Sequence, residues 1–203
     1  MPLNFRGDGV NIRSTTIERQ DNHIYFYADV ESDNCLKLLK LIREADAELR
    51  NQHHDRWLGD APLMPVWVHI NSYGGDLFAG FSMADQFPMI KSPIYTLVEG
   101  ICASAATLIA MSATKRFILP NSFMLIHQLS TMVWGTHEQF KDEMELQKKA
   151  MEKLVAFYAS HSKVTEKQIR RMLTRDFWVD AETCIEKGFV DEVFGVQPRI
   201  DAV

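Results

Sequence analysis

Cysteine is scarce. Only Cys35, Cys102 and Cys184 occur. They are too few and too scattered for a disulfide framework, and no C-x-x-C or Cys/His ligand spacing points to zinc, so no metal and no cofactor is expected. Isolated thiols fit a reducing compartment. An excess of positive charge is missing too: 22 basic residues face 27 acidic ones, a net charge of −5. Neither nucleic acid nor a membrane surface is therefore an expected partner. The uncharged, Ala- and Ser-rich run Gly100 to Ala113 is shorter than the roughly 18 residues that span a bilayer. The start, Met1-Pro2-Leu3-Asn4-Phe5-Arg6, lacks the basic-then-apolar layout of a secretion signal. A soluble, cytoplasmic protein is the expectation. With 10 glycines, 7 prolines and 46% hydrophobic residues, the chain is neither collagen-like nor disordered.

What is present is alternation. His23 to Val30 is rich in aromatic and β-branched residues and reads as a strand. Ser32 or Asp33 then caps a helix with Leu36, Leu39, Ile42, Ala45 and Leu49 on its apolar stripe. Residues 51–64 read as a polar, aperiodic surface insertion. Val66 to Ile70 is a strand, Asn71 to Gly75 a turn, and a helix through Phe78, Phe81, Met83 and Ala84 ends at Pro88. Ile94 to Val98 is a strand, a turn starts at Gly100, and Ser104 to Ala113 is a helix apolar on nearly all sides, hence buried. Phe117–Leu119 and Met124–Ile126 are short strands. A long helix spans roughly Glu138 to Tyr158; a second starts at a Thr165/Gln168 capping box; a third is capped by Asp180 and ends at Gly188. Repeated β-turn-α units predict one α/β domain over 1–203 with a largely parallel sheet.

Several strand ends carry residues with chemical potential. Gly74-Gly75 follows a strand and precedes a helix; bare amides there can hold a developing negative charge, although a plain turn needs the same residues. Ser104 opens a buried helix among small neighbours, where the helix dipole favours an alkoxide, although small residues also serve close packing. His127 closes an apolar strand as a general base would, and as a satisfied core histidine would. Asp176 lies between Arg175 and Phe177-Trp178; it is placed to orient an imidazole or simply to cap a helix. No H-E-x-x-H occurs, so a metalloprotease is unsupported.

Taken together, in the order Ser, His, Asp, these segments resemble the Clp protease proteolytic-subunit family over roughly residues 20 to 194. Ile70-Asn71-Ser72-Tyr73-Gly74-Gly75 is similar to I-N-S-P-G-G, and Gly100 to Ala106 to G-x-x-A-S-x-[GA]. Lys115 to Ser122 is similar to K-R-x-x-L-P-N-S, and Ile126-His127-Gln128 to I-H-Q. Arg175-Asp176-Phe177 and Ala181 to Asp191, similar to A-x-E-A-x-x-x-G-L-[VI]-D, follow in order. The departures are Tyr73 and Leu129 where the family has proline, a shorter Ser104–His127 spacing, the 51–64 insertion and the divergent segment 1–21.

The resemblance implies a Clp peptidase/crotonase-like spiral with a protruding handle helix. It implies a serine endopeptidase in which Ser104 is the nucleophile, His127 the base and Asp176 the orienting carboxylate. Backbone amides at Gly74, Gly75 and Ala105 would form the oxyanion hole. As a base the imidazole must be neutral, so activity is expected to fall below neutral pH. Phe140, Met144, Met151 and Leu154 on the long helix, with Trp134-Gly135 in a strand before it, and Arg175 would form subunit interfaces. The implied assembly is a homo-oligomer of heptameric rings stacked in pairs. It would cleave unfolded proteins or peptides, with an ATP-dependent unfoldase as a possible partner. Three alternatives are kept: a capsid-maturation protease of the same fold; a non-cleaving ring subunit, against which the intact Ser104, His127 and Asp176 argue; and an acyl-CoA enzyme of the crotonase group, which shares the spiral and the paired-amide oxyanion hole but does not require those three residues.

Overall fold

The computed structural model describes residues 15–56, 59, 61–130 and 134–195. Most of the divergent segment 1–21 lies outside them. The order is β1 (Thr16–Gln20), β2 (His23–Tyr27), α1 (Ser32–Asp55), β3 (Val66–Ser72), α2 (Leu77–Gln86) and β4 (Ile94–Ala103). There follow α3 (Ala105–Met111), β5 (Lys115–Ile118), β6 (Phe123–Ile126), α4 (His137–Ser160), α5 (Glu166–Met172), β7 (Phe177–Asp180), α6 (Ala181–Lys187) and β8 (Glu192–Val193).

One eight-stranded sheet runs β1-β2-β3-β4-β5-β8, with β6 on β4 and β7 on β6. Among the described residues only β1–β2 and β6–β7 are antiparallel; the β-turn-α reading predicts the parallel remainder. Strand β4 is the hub. Tyr95–Val98 pair with β5, and Ile101–Ala103 pair with β6. Gly100, at φ 82°, sits where the partner changes. The expected turn at Gly100 is thus a kink inside a continuous strand. A positive φ bends the strand without ending it, and the Gly100 N–H is satisfied by Ser122 Oγ at 2.6 Å.

Helix α1 differs from expectation in two ways. Glu31 is its N-cap residue and makes no side-chain cap bond. Its buried face is Cys35, Leu38, Ile42 and Ala45, while Leu36 is 50% exposed. The stripe starts one residue earlier than its leucines suggest, because Cys35 packs as a small hydrophobe. The helix also runs through Asp55, so the first residues of the expected aperiodic insertion are helical; they remain mostly exposed. Asp46 is buried on the same face. Its carboxylate accepts from the Ser92 amide at 2.8 Å and from Arg50 Nε at 3.1 Å.

Helix α3 is buried along its whole length, as its apolar circumference requires. The Thr165/Gln168 capping box, the Asp180 cap of α6 and the left-handed Gly188 that ends it all form. Arg116 ties the far edge together. It donates to both Asp191 carboxylate oxygens, to His161 O at 2.5 Å and to Gly188 O at 3.1 Å. The K-R-x-x-L-P-N-S run and the final Gly-x-x-Asp run are therefore two halves of one clamp, with Ser122 of the first also bracing Gly100.

Candidate active site

Ser104 stands at the β4–α3 junction with φ 53° and ψ −128°. Among the described residues only Asp21 shares a positive φ without being glycine. Such a backbone costs of order 1–3 kcal/mol and persists only where neighbours hold it. Here they do. The Ser104 N–H donates to Leu125 O at 2.9 Å, and its carbonyl accepts from the Thr107 amide and hydroxyl at 3.0 and 2.6 Å. Thr107 in turn bonds the buried Tyr158 hydroxyl of α4 at 2.7 Å. The result is a sharp strand-to-helix turn that presents a hydroxyl at the end of the central strand β4, the geometry of a nucleophile elbow.

Gly74 shows why glycine is needed opposite. A Cβ there would lie 2.5 Å from Ala103 O and 2.6 Å from Ser104 Cβ, at φ 93°. At Gly75, φ 148°, it would lie 2.4 Å from Val30 O. Val30 grips this loop through its N–H to Gly74 O at 2.8 Å and its carbonyl to the Asp76 N–H at 2.7 Å. The three expected oxyanion donors are not equivalent. The Gly74 N–H already donates to Ser72 Oγ at 3.2 Å, which removes it from the set. The Gly75 and Ala105 amides meet no acceptor among the described residues and both line the cleft beside Ser104.

That cleft, of about 220 Å³, brings together Ser104, His127, Gly75, Ala105 and Leu129, with Glu143, Leu146 and Gln147 on its α4 wall. Of the two positions that depart from the family's proline, Leu129 lines this cleft, whereas Tyr73 borders a separate depression with Tyr27 and Asn71. His127 reaches the cleft because β6 is hydrogen-bonded to Ser104 two residues earlier, at Leu125. Asp176 is not brought in. It is exposed and outside the cleft lining. The antiparallel ladder ends at Ile126↔Phe177, so His127 and Asp176 occupy the next register position with no strand bonds holding them. No hydrogen bond joins Ser104 to His127, or His127 to Asp176, among the described residues. Ser104 and His127 share the cleft, Asp176 lies outside it, and the expected triad is not closed.

The expected interface residues divide. Phe140 and Met144 are 43% and 71% exposed on the first half of α4. Met151 is half-buried against the core, and Leu154 is 3% exposed inside it. Leu154 is thus a core residue, because the second half of α4 docks on its own domain. Trp134-Gly135 lie in coil and bend, not in a strand, and Trp134 is 87% exposed. Arg175 is exposed.

One cluster escaped the sequence reading. His69, buried at 8% exposure, bonds Glu99 at 2.8 Å through Nδ1 and His23 at 2.8 Å through Nε2. Tyr27 donates its hydroxyl to the same carboxylate. Burial and the neighbouring His69 push the His23 imidazole below the usual histidine range. Burial and the Glu99 bond raise the Tyr27 phenol above its ordinary value. The signal was the parity of the strands: His23, Tyr25 and Tyr27 alternate with the buried Ile24 and Phe26, and His23 and Tyr25 pair with Trp67 and His69.

Comparison with known proteins gives a consistent result. The family described as Clp protease matches residues 58–197, a later start than the motif resemblance. The ATP-dependent Clp protease proteolytic subunit of Streptococcus mutans is 38% identical over 132 residues, 63% of this chain and 67% of that one. The corresponding subunit 2 of Treponema denticola is 34% identical over 131 residues, 64% and 66%. The matched stretch thus spans about two thirds of these relatives' length. A point mutant of ClpP1 from Listeria monocytogenes has the same fold, with a TM-score of 0.72 at 23% identity, over 88% of this chain and 93% of that chain. By sequence and by fold, the chain belongs to the Clp protease family.

Proposed function

We propose that the chain is a serine-type peptidase in which Ser104 attacks a peptide carbonyl. The observation that carries this is Ser104 itself: a strained, over-determined serine facing His127 and two idle amides in one cleft, in a member of the Clp protease family. His127 takes the Ser104 proton as the C–O bond forms. The Gly75 and Ala105 amides receive the charge that develops on the carbonyl oxygen. His127 returns the proton to the leaving amine, and water then releases the acyl group by the same route. Asp176 completes the constellation by turning toward the imidazole. Residues at one antiparallel register position stand within side-chain reach, and catalytic hydrogen bonds commonly tighten only in the working complex.

The substrates are unfolded proteins or peptides, and the working form is a homo-oligomer of stacked heptameric rings. Phe140, Met144 and Trp134 support this, because an apolar surface so exposed calls for cover. Arg175, beside the candidate triad, is placed at a subunit boundary. The relatives' description as ATP-dependent supports an unfoldase partner. A capsid-maturation role would use the same site. A non-cleaving subunit is less favoured, because the strained Ser104 is retained.

A fluorophosphonate probe tests the nucleophile. Labelling of the wild type and its loss in Ser104→Ala are expected; undiminished labelling of the variant overturns the assignment.

A further inference from the structure

Within the cleft beside Ser104, we infer a subsite for a basic side chain, lysine or arginine, on the substrate residue whose carbonyl is attacked. Glu143 is its specificity-determining residue. The inference rests on the peptidase reading of the same cleft and adds a substrate class to it.

The α4 wall of the cleft is amphipathic along its length. Leu146, Ala150 and Leu154 supply an apolar strip, and Glu143 and Gln147 line the same cleft one turn apart. Gln147 Nε2 donates to Glu143 Oε1 at 3.2 Å, which turns that carboxylate and leaves Oε2 with no donor among the described residues. Three of the other four α4 carboxylates are served differently, while Asp142, outside the cleft lining, also shows no ion pair among the described residues. Glu138 holds Lys141 at 2.9 Å, Glu145 holds Lys149 at 2.8 Å and Glu152 holds Arg170 at 2.5 Å. Glu143, the α4 carboxylate that faces the cleft, holds no cation among the described residues.

The other charged groups of the cleft do not supply one. Asp76 is a second acid, occupied in capping α2 through the Ala79 amide at 2.6 Å. His127 works as a base in its neutral form. A largely polar cleft with one apolar strip on its α4 wall, an unneutralised carboxylate beside that strip and no fixed cation among the described residues fits a long aliphatic stem with a cationic head. Lysine and arginine bury their stems along such surfaces and keep the charge at a polar rim. An aliphatic side chain would fill the strip and leave Glu143 as it is. An acidic side chain would face both carboxylates.

Two matched fluorogenic peptides test this, with lysine or norleucine before the scissile bond. They share the four-carbon stem and differ in the ammonium. The wild type is expected to show the higher kcat/KM on lysine. Glu143→Gln is expected to lower the lysine-to-norleucine ratio about five- to tenfold, as for a partly solvated charge pair; Glu143→Asp should restore part of it. A wild type that prefers norleucine, or a ratio that Glu143→Gln leaves unmoved, overturns the inference. Binding separates this from the peptidase reading. In Ser104→Ala, calorimetry should give tighter binding of a short peptide ending in lysine than of one ending in norleucine. Equal affinities overturn the subsite. A retained binding preference in a wild type that cleaves neither peptide supports the subsite and counts against the peptidase reading.

Discussion

Two residues define the reacting corner, Ser104 with its positive φ and Gly74 packed against it. Gly74 has no room for a methyl group: the nearest atoms, Ala103 O and Ser104 Cβ, would lie at 2.5 and 2.6 Å. One is backbone and the other is the candidate nucleophile's own carbon, so neither yields cheaply. Gly74→Ala should therefore destabilise the fold by about 1–3 kcal/mol, the range for strain at a special backbone position. It should also slow fluorophosphonate labelling by displacing Ser104. Thermal melts and labelling rates measure both. A variant with wild-type melting and labelling would show that the loop relaxes freely.

Elements β2, β3 and β4 carry the His23–His69–Glu99–Tyr27 relay across one face of the sheet. His23 titrates below the ordinary histidine value, because burial and the adjacent His69 disfavour its charge, against weaker opposing fields from Asp21 and Glu99. The unfolded chain therefore takes up the proton first as pH falls. The stability linked to His23 is whole above the ordinary histidine pKa of about 6.5 and is lost as pH drops from there through the lower folded value. Thermal melts from pH 7.5 to 5.5 should show a larger loss for the wild type than for His23→Gln. Parallel curves for the two proteins would contradict this. The Arg116–Asp191 clamp behaves as a second such unit. Burial raises the Asp191 carboxyl, but the Arg116 hydrogen bonds and charge outweigh it and leave it below the usual aspartate range.

At the scale of the molecule, α4 is half core and half surface. Ala150, Leu154, Val155 and Tyr158 anchor its second half, while Phe140 and Met144, outside the cleft lining, are exposed on the first. A subunit boundary along that first half is the simplest cover for it. Met144→Glu should lower the native mass from an assembly toward a single subunit, with little change in monomer folding, because Met144 is 71% exposed. Native mass spectrometry reads the outcome; a wild type that is already a 23.3 kDa monomer removes the ring proposal. No helix among the described residues is long and apolar enough to cross a membrane.

Much of the fold was legible in the sequence because local rules and the global fold agree. The capping residues Thr165 and Asp180, the stop at Gly188 and the apolar helix after Ser104 each act within a few residues of chain. The strand-turn-helix alternation determined the parallel sheet, since a right-handed crossover leaves few other ways to cover both strand faces. The residue types of the site were legible for the same reason: a serine at a helix start and a histidine at a strand end are local facts. What the chain order leaves open is distance. That Gly100 bends one strand toward two partners, that Gly74 gives its amide to Ser72, that Arg116 meets Asp191, and that His23, His69 and Glu99 share protons all depend on segments far apart in sequence. That the β6–β7 ladder stops at Ile126 and Phe177, leaving Asp176 outside the cleft His127 lines, is likewise decided by packing. Sequence determines which groups are available and which local backbone each prefers. Only packing decides which of them meet, because a hydrogen bond or a close approach is settled within a few tenths of an ångström by everything around it.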